Sequence, residues 1–262
     1  MWTAHNILPH AEVFDDDSMA RRDLVGRASL IVAHSLSAAD EVRARWPTRA
    51  DIVVIPHGPL APHELYELPP PSPEGTPRVL FMGRIETYKG VEDLLAAADD
   101  LVGVVEVRIV GQCTDPALRA RLVKMSEPLD HVSVEFGYVE DASLASIFGW
   151  ADFAVYPFRR ITTSGSLTLG MAAGRVVLIP DLEAFADIPE DAAVRYAPGI
   201  EGLRGALMLL RTLAPDDIRA RAEAARRAAG STTWAEIAHL TSVALEGLEK
   251  SQRRDRLRST LA

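Results

Sequence analysis

Short runs of β-branched and aliphatic residues alternate with stretches of helical periodicity along nearly the whole chain. That alternation restricts the fold to α/β with a parallel sheet, because parallel neighbours need a crossover between them. Leu30 to Ala33 reads as a buried strand, Ser35 to Trp46 as a Ser-capped helix closed by Pro47, and Asp51 to Ile55 as the next strand. The stretch LPPPSPEGTP, residues 68–77, then carries five prolines. Neither a helix nor a central strand tolerates that density, so it reads as an interdomain linker or as a long surface loop.

After the prolines the rhythm restarts. Strands are expected at Arg78 to Met82, Glu106 to Val110, Val132 to Phe136, Phe153 to Tyr156 and Val176 to Ile179, with a sixth at Ala193 to Tyr196. Between them lie helical patterns at Gly90 to Leu101, Pro116 to Met125, Ala142 to Trp150 and Ser166 to Ala173. Further helices are expected at about 200–212, 216–229 and 233–256. Residues 78–232 thus make a complete doubly wound, Rossmann-like domain. Residues 1–67 hold at most three strands, too few to cover their own faces and edges, and read as the end of a truncated N-terminal domain.

Composition narrows the function classes. The chain of 262 residues is 48% apolar and 25% charged, enough to bury a core. Its net charge of −9 disfavours nucleic acid as a partner. A single cysteine, Cys113, excludes a disulfide framework and a multi-Cys zinc site. With no apolar run of spanning length and no leader pattern, the chain reads as cytoplasmic.

Ligands of doubly wound sheets bind at the carboxyl ends of the strands. The first such turn after the prolines runs from Gly83 to Gly90. Gly83 permits close backbone approach, and Arg84 and Lys89 set two cations beside a helix N-terminus. The combination suits a diphosphate; the alternative is a solvated turn with two surface cations. A second turn, Thr162, Thr163, Ser164, Gly165 and Ser166, opens another helix and reads either as a phosphate cradle or as ordinary N-capping. Gly111 and Gly137 also end strands.

Together these blocks resemble the family-four retaining glycosyltransferases of the GT-B fold. The similarity rests on VVIPHG (53–58), VLFMGRIETYKGVEDLL (79–95), VRIVG (107–111), VSVEFGYVEDASLASIFGWADFAVYPF (132–158), SGSLTLGMAAGRVV (164–177) and TTWAEIA (232–238). The opening TAHNILPHAE (3–12) resembles the close of that family's N-terminal domain. The resemblance implies a nucleoside-diphosphate sugar donor, UDP- or GDP-linked, and a hydroxyl acceptor on a glycan, glycolipid or polysaccharide precursor. It implies retention of configuration and no cofactor or metal. Arg84 and Lys89 match the diphosphate-binding pair and would stabilise the leaving group. Gly83, Gly111, Thr163, Ser164, Gly165 and Ser166 would meet the donor's phosphates and sugar, and Gly137, Tyr138 and Val139 would line the base pocket. His5 matches a histidine facing the sugar, with a structural role as the alternative; His10 and His57 are secondary candidates. Residues 233–262 would form the helix that returns to the N-terminal part.

One departure stands out. The family's two glutamates, eight residues apart, fall on Ile161 and Leu169, and Leu169 cannot accept a ribose hydrogen bond. Glu183 and Glu190 lie downstream as substitutes. The departure and the short N-terminal part support a second reading, a non-catalytic or complementing donor domain that needs a partner chain or self-association. A nucleotide-sugar epimerase of the same fold is a third. The basic end, with Lys250, Arg253, Arg254, Arg256 and Arg258, reads as a solvated tail or as a peripheral contact with anionic lipid at the inner face of a membrane.

Overall fold

A computed structural model describes residues 1–4, 7, 16–58, 61–71, 75–161 and 164–260, with the side chains of 251 and 254–260 excepted. The chain forms two compact units, Met1–Pro59 with Thr232–Ala262, and Leu60–Ser231.

In the first unit, β1 (Trp2–Ala4), α1 (Asp17–Arg27), β2 (Leu30–Ala33), α2 (Leu36–Arg45) and β3 (Asp51–Val54) follow in sequence. The strands pair in parallel in the order β1-β2-β3. Ser35 caps α2 by accepting the Ala38 N–H at 3.0 Å, as its position before an apolar pattern predicts. Val25, Ile31, Ala33, Ala39, Val42 and Trp46 form the core. The long helix α10 (Trp234–Thr260) belongs to the same unit and opens on a reciprocal capping box: Thr233 N–H donates to the Glu236 carboxylate at 2.7 Å, and Glu236 N–H to the Thr233 hydroxyl at 3.2 Å. The Trp234 ring lies against Gly58, where a Cβ would come within 2.5 Å of it.

The second unit contains α3 (His63–Tyr66), β4 (Arg78–Met82), α4 (Val91–Ala98), β5 (Glu106–Gly111), α5 (Pro116–Ser126), β6 (Val132–Phe136), α6 (Asp141–Trp150), β7 (Phe153–Val155), α7 (Gly165–Ala172), β8 (Val176–Pro180), β9 (Ala193–Tyr196), α8 (Ile200–Leu209) and α9 (Pro215–Ala229). Its six strands are all parallel, in the order β6-β5-β4-β7-β8-β9. Counted within the unit this is 3-2-1-4-5-6, the doubly wound order. Successive residues of β4 enter opposite core layers. Val79 and Phe81 pack with Leu94, Leu95, Leu118 and Leu207 on one face, and Leu80 and Met82 with Leu144, Ile147 and Phe148 on the other. Two covered faces explain why β4, β7 and β8 read as apolar runs, whereas β5 carries Arg108, paired with Glu135, and edge strand β6 alternates with Ser133 and Glu135.

The division between units falls at Pro59, ahead of the proline-rich stretch. Leu65 is already fully buried in the second unit's core, with Leu68 packed against it. Arg226 donates to the Leu68 carbonyl at 2.6 Å and buried Arg175 to the Pro69 carbonyl, so the start of the stretch expected to link domains is pinned along this unit.

Candidate functional site

The chain leaves β4 toward β5 and leaves β7 toward β8, in opposite directions across the sheet. A crevice opens at the carboxyl ends of such a pair because the two following turns diverge. The turn after β4 is anchored to its neighbour: Gly83 N–H donates to Val110 O at 3.1 Å, Ile85 N–H to Gln112 O at 2.8 Å, and the Ile85 side chain is buried. A Cβ on Gly111 would lie 1.8 Å from Gly83 O, so only glycine allows β5 and this turn to meet. Gly90, at φ +69°, faces the second turn, and a Cβ there would stand 1.9 Å from Pro157 O. Arg159 N–H donates to Tyr88 O at 2.8 Å, which ties the two turns together.

The cations sit differently from one another. Lys89 is only 9% exposed, its ammonium 5.3 Å from the Phe158 ring centroid and 5.9 Å from that of Tyr88. Burial pushes its pKa down, the Glu86 charge opposes this, and the Arg84 charge adds to it. Among the described residues no carboxylate lies within ion-pair distance of Lys89. The Arg84 side chain is 72% exposed and pairs with Glu86. Burial pushes the Glu86 carboxyl up, but hydrogen bonds from Arg84 and Tyr88 and the charges of Arg84 and Lys89 win, holding it below the usual carboxylate range. The Tyr88 phenol is held above its ordinary value, first by burial and then by Glu86; the Arg84 and Arg160 charges oppose both.

Hydroxyls lie near Lys89. Ser164 caps α7, its Oγ accepting Leu167 N–H at 3.2 Å and lying 3.1 Å from Ser166 Oγ. A Cβ built on Gly83 would be 3.1 Å from Ser166 Oγ and 3.7 Å from Lys89 Nζ. Gly83, Lys89 and Ser166, far apart in sequence, therefore meet at one point. Unsatisfied N–H groups and the positive end of the helix dipole favour an anion there. The fully buried Tyr156 sets the helix: its hydroxyl donates to Ser166 O at 2.6 Å and lies 2.4 Å from where a Cβ on Gly170 would be.

Gly137, Tyr138 and Val139 follow β6, two strands from the crevice. Gly137 N–H donates to Gly111 O at 3.1 Å, and no atom lies within 4 Å of a Cβ built on Gly137. Tyr138 is 72% exposed, and Val139 packs half-buried on the second core layer. Two strand spacings separate Gly83 from Gly137, about 10 Å, a span that suits a nucleoside beside a diphosphate.

His5, His10, Thr162 and Thr163 lie outside the described residues. His57 belongs to the first unit, where its Nδ1 donates to Gly58 O at 3.2 Å and its ring stands 5.1 Å from that of His34. Ile161 and Leu169 are half-buried against the core layers. Glu183 follows the carboxyl end of β8, whereas Glu190 precedes β9 at the opposite end of the sheet, which removes it as a substitute for the ribose contact. A depression of about 390 Å³ between Val102, His131 and Trp150 lies at the amino ends of β5 and β6, away from the crevice. Among the described residues, no three His, Cys, Asp or Glu side chains come together as a metal would need. Sequence reasoning missed Glu86, Tyr88, Arg160, Tyr156 and Gly170. Of these, only the glycine inside a helical pattern carries a signal readable from sequence, that of close packing.

A doubly wound domain with a crevice at its topological switch point, lined by Gly83, Lys89 and Ser166, defines the class. The chain belongs to the glycosyl transferases group 1 family, whose profile matches residues 76–228. It is 30% identical over 164 residues to a GDP-mannose:glycolipid 4-beta-D-mannosyltransferase of Xanthomonas campestris pv. campestris, covering 62% of this chain and 46% of that protein. A GDP-mannose-dependent alpha-mannosyltransferase of Mycolicibacterium smegmatis is 30% identical over 222 residues, covering 81% and 56%. The chain spans about half the length of these curated relatives. Among solved structures, sucrose-phosphate synthase from Thermosynechococcus elongatus superposes with a TM-score of 0.77 at 21% identity, covering 95% of this chain and 67% of that one. Anabaena HepE in complex with UDP and glucose gives 0.76 at 16%, covering 95% and 71%. The fold is that of the GT-B glycosyltransferases.

Proposed function

We propose that this chain binds a nucleoside-diphosphate sugar in the crevice between β4 and β7 and takes part in transfer of its sugar to a hydroxyl acceptor. The observation that carries this is the meeting of Gly83, Lys89 and Ser166 at one point, with Arg84 beside it. In the transfer, the bond between the anomeric carbon and the diphosphate oxygen breaks. The acceptor oxygen bonds to that carbon and gives up its proton. Negative charge collects on the departing diphosphate, where the Lys89 ammonium, the Arg84 guanidinium and the first N–H groups of α7 would stabilise it without a metal. Gly137 and Tyr138 would border the base, and Thr163, Ser164 and Gly165 the phosphates. His5 would orient a sugar or acceptor hydroxyl. The names of the two mannosyltransferase relatives favour GDP-mannose as donor and a glycolipid as acceptor. A lipid-linked acceptor also fits contact between the exposed Lys250 and Arg253 and an anionic membrane surface.

A second reading, a donor-binding domain that needs a separate acceptor-binding chain, is favoured by Ile161 and Leu169 standing where the family carries glutamates. One assay separates the two. Incubation with GDP-mannose and a lipid-linked glycan should release GDP and give a product whose anomer matches the donor's, read by proton NMR. Donor binding without release of GDP, even by hydrolysis, would support the second reading. An inverted product would contradict retention, a point on which the relatives' names, beta and alpha, differ.

A further inference from the structure

We propose that Glu86 is a positioning residue: it occupies Arg84 while the crevice is empty, gives it up to an arriving diphosphate, and reclaims it as the product diphosphate leaves. The inference rests on the diphosphate reading above. Glu86 and Arg84 lie on the same turn and are ion-paired, and the Tyr88 phenol beside the same carboxylate helps to keep it ionised. The Glu86 side chain is 27% exposed, the Arg84 side chain 72%. The carboxylate is therefore held in place by the fold, and the guanidinium is the partner free to swing. The Glu86 charge also reaches Lys89, which has no ion-pair partner of its own among the described residues. One carboxylate thus partly neutralises both cations that a diphosphate needs.

A diphosphate carries more charge than a carboxylate and offers Arg84 bidentate acceptors, so it wins the exchange. Glu86 stays behind beside Tyr88. Its negative charge beside the bound diphosphate weakens the complex, and this matters most for the product, whose departure commonly limits turnover. No covalent step is involved; the exchange is between two anions for one guanidinium.

The test is calorimetric titration of the full chain with GDP and UDP, and with GMP and UMP for comparison. Glu86→Gln should bind the diphosphate roughly two- to fivefold more tightly, the factor that the range for partly exposed ion pairs allows. The monophosphates should gain less. Glu86→Asp should return affinity toward that of the native chain. Tyr88→Phe removes the phenol that shares the Glu86 carboxylate with Arg84 and leaves Glu86 a stronger hold on Arg84, so it should weaken diphosphate binding. This opposite sign is what a merely structural role would not give. Unchanged or weaker diphosphate affinity in folded Glu86→Gln would overturn the proposal. If that variant does not fold, unchanged or tighter binding in Tyr88→Phe would do the same. If the native chain binds none of the four nucleotides, the donor-site reading fails and this one with it; if it binds them but the variants do not diverge, only this inference fails.

Discussion

An ammonium removed from water, with two aromatic rings beside it and no paired carboxylate among the described residues, is a burden on the empty fold. Lys89 is in that position. Such burial favours the neutral amine, and the lowered pKa records the cost. Replacement by methionine keeps the volume and removes the charge. We therefore expect Lys89→Met to raise the Tm of the ligand-free chain, on the order of 2–4 °C for each kcal/mol relieved, while losing diphosphate binding. The sign of the pH effect follows from linkage. Between the folded and unfolded pKa values the unfolded chain binds more protons, so this residue's contribution to stability rises with pH across that window. The Tm gap between variant and native chain should narrow as pH climbs above the folded value toward the ordinary lysine range. A gap that widens there, or a variant less stable at neutral pH, would show that Lys89 has a carboxylate partner in solution.

At the scale of elements, the first turn of α7 depends on what lies beneath it. Tyr156 ends its strand run with a hydroxyl aimed at Ser166 O, and Gly170 is the residue that leaves room for it. Tyr156→Phe should cost about 1–2 kcal/mol through the lost buried hydrogen bond, measured by denaturant titration. It should also weaken nucleotide binding, because the first turn of α7 loses its anchor to the sheet. Unaltered affinity in the destabilised variant would separate α7 from the site. This dependence was not legible in the sequence, since a tyrosine at a strand end shows no preference for a particular carbonyl. The strands themselves were legible. Their apolar runs require burial on both faces, and that condition survives any detail of packing. Even the short β9 lies where Ala193 to Tyr196 predicted it. In the proline-rich stretch, proline excludes regular structure but does not say against what a segment packs. Leu65, Arg175 and Arg226 decide that, and they are far apart in sequence.

For the whole molecule, the same contrast holds at the site. Gly83, Arg84, Lys89 and Ser164 to Ser166 could be picked out as two turns at helix starts, since strand ends in a doubly wound sheet are where ligands bind. That the two turns share one crevice depends on strand order, with β4 beside β7, which local pattern does not contain. The partners that tune the cations, Glu86 and Tyr88, carry no distinctive sequence signal, because a lone carboxylate in a turn has many ordinary roles. The account's central claim is that this crevice holds a diphosphate through Arg84 and Lys89. Calorimetric titration with GDP and UDP tests it most directly, on the native chain and on the double variant Arg84→Ala with Lys89→Ala. The account predicts binding of at least one of them by the native chain. It predicts no measurable binding by the double variant, with the cooperative thermal transition retained. Equal affinity in both proteins, or no affinity in a folded native chain, would contradict it.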